Sequence, residues 1–286
     1  MADIKIVVDS GADIPPETAK EYDIDIIPFL SLFGEEQFIQ GVTITNAEFF
    51  DKLERFDGFP TTSQTPYGDM LDFFSEQCKN NKTVIYFALS GTASGQYQTA
   101  NLVKEEILEE NPNADFRIVD TQKFSVYIAQ TAVHAAQMAR DGKTADEIVT
   151  ECEKYVKQWR AYLLVDTLKY LEKGGRLSKT AAFVGTMLDI KPILTIEHGL
   201  VENMDKLRGK KKLMEKLIEK IKEDPDFDAE NPEFLVVQSD EERGRKTCAL
   251  LEEEFGKGCI TMYTEFGPLI GTHVGRCAVA ILPKIK

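Results

Sequence analysis

Several features that define other classes of protein are absent from this 286-residue chain. Its five cysteines are scattered, and no two of them form a Cys-x-x-Cys pair or a zinc-binding spacing. No apolar run approaches the roughly 20 residues that cross a bilayer. The opening stretch, MADIKIVVDS, lacks the basic and apolar regions of a signal peptide. We therefore expect reduced thiols, no metal site, no integral membrane segment and a cytoplasmic location.

The chain also has fewer basic than acidic residues. Lysine and arginine number 34 against 48 aspartate and glutamate residues, which gives a formal net charge of −14. Such a field repels phosphate backbones, so nucleic acid is not an expected partner. With 43% hydrophobic and 29% charged residues, the composition is that of a globular protein. The length allows an apolar cavity beside a full core.

Buried strands alternate with helices in the first half of the chain. Apolar runs at residues 4–8, 82–90 and 114–121 are each followed by a polar loop and a helical pattern. This alternation predicts a parallel sheet whose ligand site collects in the loops after the strands. Residues 24–32 are predicted to be extended, with Pro28 limiting their pairing.

The pattern changes near residue 160. Residues 191–206 are predicted to form a strand, a tight turn at His198 and Gly199, and a return strand. A small-residue helix is expected before them, over residues 181–187. We therefore predict an α/β protein of two domains. Residues 1–158 are expected to form three α/β/α layers around a parallel sheet, and residues 159–286 an α/β domain with a mixed sheet.

Three polar loops could carry chemistry. Residues 9–13, DSGAD, are typical of turns and helix caps, or of a loop that lines a ligand site. Residues 61–64, TTSQ, could cap the next helix or donate hydrogen bonds to an anion at its N-terminus. Residues 90–95, SGTASG, lack the Lys-Ser/Thr of a P-loop, and Ser94 lacks the spacing of a GxSxG elbow. The last loop indicates a nearby anion without identifying it.

His273 lies in a fourth segment, GPLIGTHVGR, and is one of only three histidines. It could be a buried structural residue, a general base or a partner for an anion. A Ser–His pair would need an acid that orients the ring, and Asp9 or Asp120 could supply one. His134, within a helix, and His198, in a turn, are expected to be structural.

Taken together, the ordered set of segments resembles the DegV family of bacterial fatty-acid-binding proteins. The matching segments span almost the whole chain. They are DSGAD (9–13), TSQ (62–64), SGTASGQYQTA (90–100), KGGRLS (173–178), KPIL (191–194) and GPLIGTHVG (267–275).

This resemblance implies a carrier that is not an enzyme. A long-chain fatty acid would lie in a buried tunnel, and the protein would present its carboxylate to a fatty acid kinase, which forms an acyl phosphate for phospholipid synthesis. No cofactor is implied beyond the bound fatty acid. The implied carboxylate contacts are Thr62, Ser94 and His273, with Ser63 close by. The neighbouring Gly95, Gly271 and Thr272 complete the predicted binding set.

Two departures from the family pattern concern the headgroup. The family's Thr-Ser-Gln-Pro-Ser reads Thr-Ser-Gln-Thr-Pro here, which displaces Pro66, and its His-Val-Gly-Pro-Gly ends in Arg276 and Cys277. Hydroxyls, amides and one imidazole suit a carboxylate, whereas a phosphate would more often recruit an arginine. Arg276 therefore leaves a phosphate ligand open. The alternative functions are a Ser/His hydrolase of acyl esters and a regulatory or structural binding module with an incidental lipid.

Two basic clusters are candidates for partner docking. Arg176 follows a Gly-Gly turn, and Arg208 belongs to a cluster of basic residues between positions 206 and 212, which we expect at a helix start. The helix macrodipole disfavours cations at that end. We expect Arg176 first, and Arg208 second, to steer an acidic kinase without affecting lipid binding.

Overall fold

The computed structural model describes residues 4–178, 190–209 and 212–286. The strands of the described chain are β1 (Ile4–Asp9), β2 (Ile24–Ile27), β3 (Leu30–Phe33), β4 (Glu36–Ile39), β5 (Thr61–Ser63), β6 (Thr83–Ala88), β7 (Asp115–Asp120), β8 (Tyr162–Leu164), β9 (Ile190–Glu197), β10 (Leu200–Arg208), β11 (Phe234–Gln238), β12 (Ile260–Glu265) and β13 (Val279–Pro283). The helices are α1 (Pro16–Tyr22), α2 (Asn46–Arg55), α3 (Tyr67–Asn80), α4 (Gln96–Glu110), α5 (Val126–Arg140), α6 (Ala145–Tyr155), α7 (Lys169–Gly174), α8 (Leu213–Lys222), α9 (Glu241–Phe255) and α10 (Pro268–Val274). Among the described residues, no helix is long and apolar enough to span a membrane.

The first sheet is parallel, in the order β2-β1-β6-β7. Its strands are buried on both faces, which explains their continuous apolar sequences. Val7 and Tyr86 pack with Met70 of α3, whereas Ile6 and Phe87 belong to a core that includes α5 and α6. The parallel sheet predicted for the first half is confirmed, with helices on both of its faces.

A small antiparallel sheet, β4-β3-β5, accompanies the first one. The extended segment predicted over residues 24–32 is two strands, because the chain leaves the parallel sheet around Pro28 and β3 pairs elsewhere. Residues 61–63 form strand β5 rather than a loop, because they pair with the free edge of β3. Thr45 caps α2 and forms a capping box with Glu48.

The second sheet is mixed, as predicted, in the order β10-β9-β8-β13-β11-β12. Among the described strands of this sheet, β11 and β12 pair in parallel and the other neighbours are antiparallel. The β9–β10 hairpin turns at His198 (φ 51°) and Gly199 (φ 75°), the two positive angles that a type I′ turn requires. Strand β10 continues to Arg208, so Arg208 lies in a strand and not at a helix start. Lys210, Lys211 and the helix predicted over residues 181–187 lie outside the described residues.

One hydrophobic core joins the two halves of the chain. It contains Ile6 of β1, Val126 of α5, Leu235 of β11 and Leu282 of β13. Trp159, where the chain passes from one half to the other, is 1% exposed. The two halves therefore differ in sheet type but share a core. The domain boundary after residue 158 stays a prediction based on the change in sheet type.

Candidate functional site

An apolar cavity lies between the start of α5 and the second sheet. The cavity is small, with a volume of about 60 Å³. Most of its walls are aliphatic or aromatic side chains. They include Phe124, Val126, Leu163, Ile196, Val237, Phe266 and Leu282. The cavity therefore suits an apolar ligand.

A more polar cavity of about 230 Å³ adjoins the apolar one. Its walls come from β5, from the loop between β6 and α4, and from α10. Four of the described residues line both cavities: Phe124, Arg176, Ile270 and His273. The apolar space therefore meets polar groups at one place, beside a cation and an imidazole.

His273 lies near the C-terminal end of α10. Its Nε2 is 3.5 Å from Thr62 Oγ1, while its buried Nδ1 has no hydrogen-bond partner within the described chain. The ring packs closely against Gly174, where a Cβ would collide with it. Burial, together with the charge of Arg176, lowers the pKa of His273 to about 4. The imidazole is therefore neutral at pH 7.

Arg176 is held by backbone carbonyls. Its Nε donates to Ala93 O at 3.0 Å, and its Nη1 donates to Gly174 O. No carboxylate among the described residues pairs with it, and burial lowers the pKa of its guanidinium. The structure thus places this charge where the two cavities meet. The predicted role of Arg176 in docking a kinase stays a prediction. Arg208 is exposed on β10 and lines neither cavity.

The other predicted site residues separate into two groups. Thr62, Ser63, Ser94 and Gly95 line the polar cavity with His273. Gly271 and Thr272 line neither cavity. Gly271 lies where a Cβ would be 2.8 Å from Phe49, and Thr272 is buried with its hydroxyl donating to Pro268 O at 2.8 Å. These two residues shape α10 and do not face the cavities.

Among the described residues, Ser94, His273 and the two candidate acids do not form the hydrogen bonds of a Ser–His–acid triad. Ser94 Oγ accepts from the Gln96 N–H at 3.2 Å and forms no hydrogen bond with His273. Asp9 is buried, bound by Tyr86 and Leu89, and burial raises its pKa to about 6. Asp120 accepts from two backbone N–H groups. Neither acid orients the His273 ring, whose Nδ1 has no partner in the part of the chain described.

Residues 9–13 and Arg276 have other roles. Asp9 caps the turn that follows β1, as expected for turn chemistry. Arg276 pairs with Glu54 at 2.7 Å and with Asp51 at 3.4 Å, both on α2, and lines neither cavity. Its charge is therefore used to hold α2 and is not available to a ligand's headgroup. His134 stacks on Tyr155, with ring centroids 4.1 Å apart, and is structural as predicted.

Sequence reasoning missed most of the apolar walls. Phe124, Ser125 and Val126 enter α5 after β7 and line the apolar cavity, and strand residues from the second sheet face them. Their sequence signal is ordinary core hydrophobicity, which does not separate a cavity wall from a packed core. Ser125 alone carries a local signal in the structure, since its φ is 56° although it is not glycine.

The fold and cavities together define an α/β protein with a buried apolar pocket and a polar mouth. The chain matches the profile described as "Uncharacterised protein, DegV family" over residues 3–284, and it belongs to that family. It is 30% identical to Protein DegV of Bacillus subtilis over 280 residues, covering 97% of this chain and 98% of that one. It is 32% identical to a DegV domain-containing protein of Caldanaerobacter subterraneus over 283 residues, covering 98% of each.

Solved structures share the fold. The crystal structure of DegV from Bacillus subtilis, described as a fatty acid binding protein, has a TM-score of 0.86 at 28% identity, covering 100% of both chains. A Thermotoga maritima protein, whose structure is described as revealing fatty acid binding function, has a TM-score of 0.84 at 27% identity, also covering 100% of both. The DegV-like α/β fold with a parallel and a mixed sheet, expected from the sequence, is confirmed.

Proposed function

We propose that this protein binds a long-chain fatty acid, with the acyl chain in the apolar cavity and the carboxylate in the polar one. The observation that carries the proposal is the shared boundary of the two cavities at Arg176 and His273. An apolar cavity that ends at an arginine without a carboxylate partner suits a ligand with an apolar chain and an anionic head. Relatives with the same fold are described as fatty acid binding proteins.

The headgroup is recognised by one charge and several neutral hydrogen-bonding groups. Arg176 supplies the charge, because its guanidinium has no carboxylate partner within the described chain. His273 is neutral, and because its Nδ1 faces no acceptor, we assign the proton to Nε2, which faces Thr62. Thr62 and Ser94 add hydroxyls. A buried carboxylate is stable only with such partners.

The acyl chain supplies most of the affinity. Burial of each methylene group contributes up to about 0.8 kcal/mol, so a long chain outweighs the few hydrogen bonds at the head. The head therefore fixes the direction in which the ligand lies. A neutral amphiphile of equal length, such as a fatty alcohol, should bind more weakly but still bind.

We further propose that the protein is a carrier without catalysis of its own and presents the carboxylate to a fatty acid kinase that forms the acyl phosphate. The support is the family resemblance, together with the absence of an activated serine in the described site. Arg208 stays a proposed docking residue because it is exposed and away from both cavities. Arg208→Glu should load lipid normally but slow acyl phosphate formation by the cognate kinase at low salt.

The deciding experiment is denaturing extraction of the purified protein followed by lipid mass spectrometry. We expect about one fatty acid per chain. The delipidated protein should regain thermal stability when oleate or palmitate is added, because a ligand that binds only the folded state stabilises it. An extract without acyl species, combined with a melting temperature that ignores added fatty acid, would contradict the proposal. A serine reactive towards a fluorophosphonate probe would favour a hydrolase instead.

A further inference from the structure

A third cleft, the seam cleft, lies at the N-terminal end of α10, whereas His273 is near the other end. Its volume is about 440 Å³. Residues from both halves of the chain line it, among them Glu17 and Ile26 from the first half and Gln238 and Glu265 from the second. It shares no lining residue with the two cavities of the proposed lipid site.

The seam cleft is acidic. Four carboxyl groups line it, and no lysine, arginine or histidine of the described chain does. Glu241 is paired with Arg245, but Glu17 and Glu265 form no ion pair with described residues. Burial, followed by the nearby charges of Asp9 and Glu265, raises the pKa of Asp13 to about 8. With that pKa Asp13 is mostly protonated at pH 7, so the unbalanced negative charge of the cleft belongs to Glu17 and Glu265.

Two further observations indicate that something else occupies this cleft. Gln238 lines it and is only 4% exposed, yet its Oε1 accepts no hydrogen bond from the described residues. Such a buried acceptor normally has a donor. Ile26 lines the cleft at 37% exposure, and Val42, 72% exposed, directly follows the lining residue Gly41. The acidic lining of the cleft therefore lies beside apolar side chains that are exposed to solvent.

We propose that the seam cleft docks a protein segment that presents a lysine or arginine beside apolar side chains. The cation would balance Glu17 and Glu265, and its N–H groups would satisfy the Gln238 oxygen. The apolar side chains would cover Ile26 and Val42. A small polyamine could balance the charge but would leave the apolar surface exposed. A second copy of this chain, with its net charge of −14, would be repelled.

The test uses a fluorescently labelled peptide of alternating arginine and leucine, followed by anisotropy at low and high salt. We expect saturable binding that weakens with salt. The double variant Glu17→Gln/Glu265→Gln should bind about 3- to 30-fold more weakly, as expected for two partly exposed ion pairs. Val42→Ser should also weaken binding. The matched control, Glu253→Gln, removes an exposed carboxylate of α9 outside the cleft and should bind as the unchanged protein does.

Each other outcome overturns the proposal. The absence of saturable binding up to millimolar peptide, or equal binding by the double variant and the control, would remove the cleft as a docking site. Equal binding of an arginine–serine peptide, or of spermidine, would assign it to small or purely polar cations. Self-association relieved by Val42→Ser would assign it to a second copy. Fatty acid loading, measured in parallel, should not change in any variant, so failure here is separable from failure of the proposed lipid function.

Discussion

Gly174→Ala should disable the headgroup site without touching the ligand directly. A Cβ at this position would collide with Nδ1 of His273 and lie 2.8 Å from Cε1. Since Gly174 belongs to α7 and His273 to α10, two packed helices, the flexible imidazole has to move. The carboxylate then loses a hydrogen bond to a neutral donor. Hydrogen bonds to charged groups are worth about 1.5–3 kcal/mol, so fatty acid affinity should fall about 10- to 150-fold.

The assay is displacement of a fluorescent fatty acid, with a fatty alcohol of equal length measured beside it. The affinity for the alcohol should fall less than the affinity for the fatty acid, because the alcohol's head carries no charge. Gly175→Ala is a local control. Position 175 has φ 68° but open space where a Cβ would lie, so this substitution strains the turn without displacing His273. Combining Gly174→Ala with His273→Ala should cost little beyond His273→Ala alone. Additive losses, or unchanged binding by Gly174→Ala, would refute the reasoning.

Three further predictions concern charge. Arg176→Gln should weaken binding of fatty acid about tenfold or more, and of fatty alcohol less, while Arg208→Gln should match wild type in the same displacement assay. Because the pKa of His273 is lower in the folded protein than in the unfolded chain, the unfolded chain binds the proton at a higher pH. The unfolding free energy of ligand-free protein should therefore fall as pH drops from 6.5 towards 4, by at most about 3 kcal/mol from this residue, and urea titrations of His273→Gln should show a smaller fall. Asp13 changes the unfolding free energy with pH in the opposite direction. Its raised pKa stabilises the fold at low pH, and that contribution is lost as pH rises from about 4 to about 8, so Asp13→Asn should flatten the part of this loss measured between pH 6.5 and 8.

The sequence predicted the features that depend on local patterns. The parallel strands and the tight turn at His198 and Gly199 each follow from a short run of residues with one favoured conformation. The grouping of Thr62, Ser94 and His273 follows the family pattern. Strand β5 was missed because Thr61–Ser63 has no distinct strand pattern, and its extended form depends on pairing with β3.

The position of Arg176 could not be predicted from its neighbours in sequence. An arginine after two glycines is typical of an exposed turn, and nothing local indicates burial. In the structure its side chain is held by carbonyl groups of Ala93 and Gly174. A backbone carbonyl is available at every residue, so this kind of partner leaves no trace in the sequence. The same holds for Arg276, whose partners Asp51 and Glu54 lie more than 200 residues away.

The proposed headgroup site depends on how the two halves of the chain pack. The loop of residues 90–95 carries Ser94 and receives two contacts from the second half. Ser90 Oγ donates to Gly199 O at 2.9 Å, and Arg176 Nε donates to Ala93 O at 3.0 Å. A side chain at Gly199 would meet Thr92 Oγ1 at 2.9 Å, so the hairpin can approach this loop only with glycine at its tip. A ligand held by groups from both halves gains their affinity only when these contacts are formed. Ligand binding and the packing of the two halves should therefore stabilise each other, since each lowers the free energy of the same arrangement.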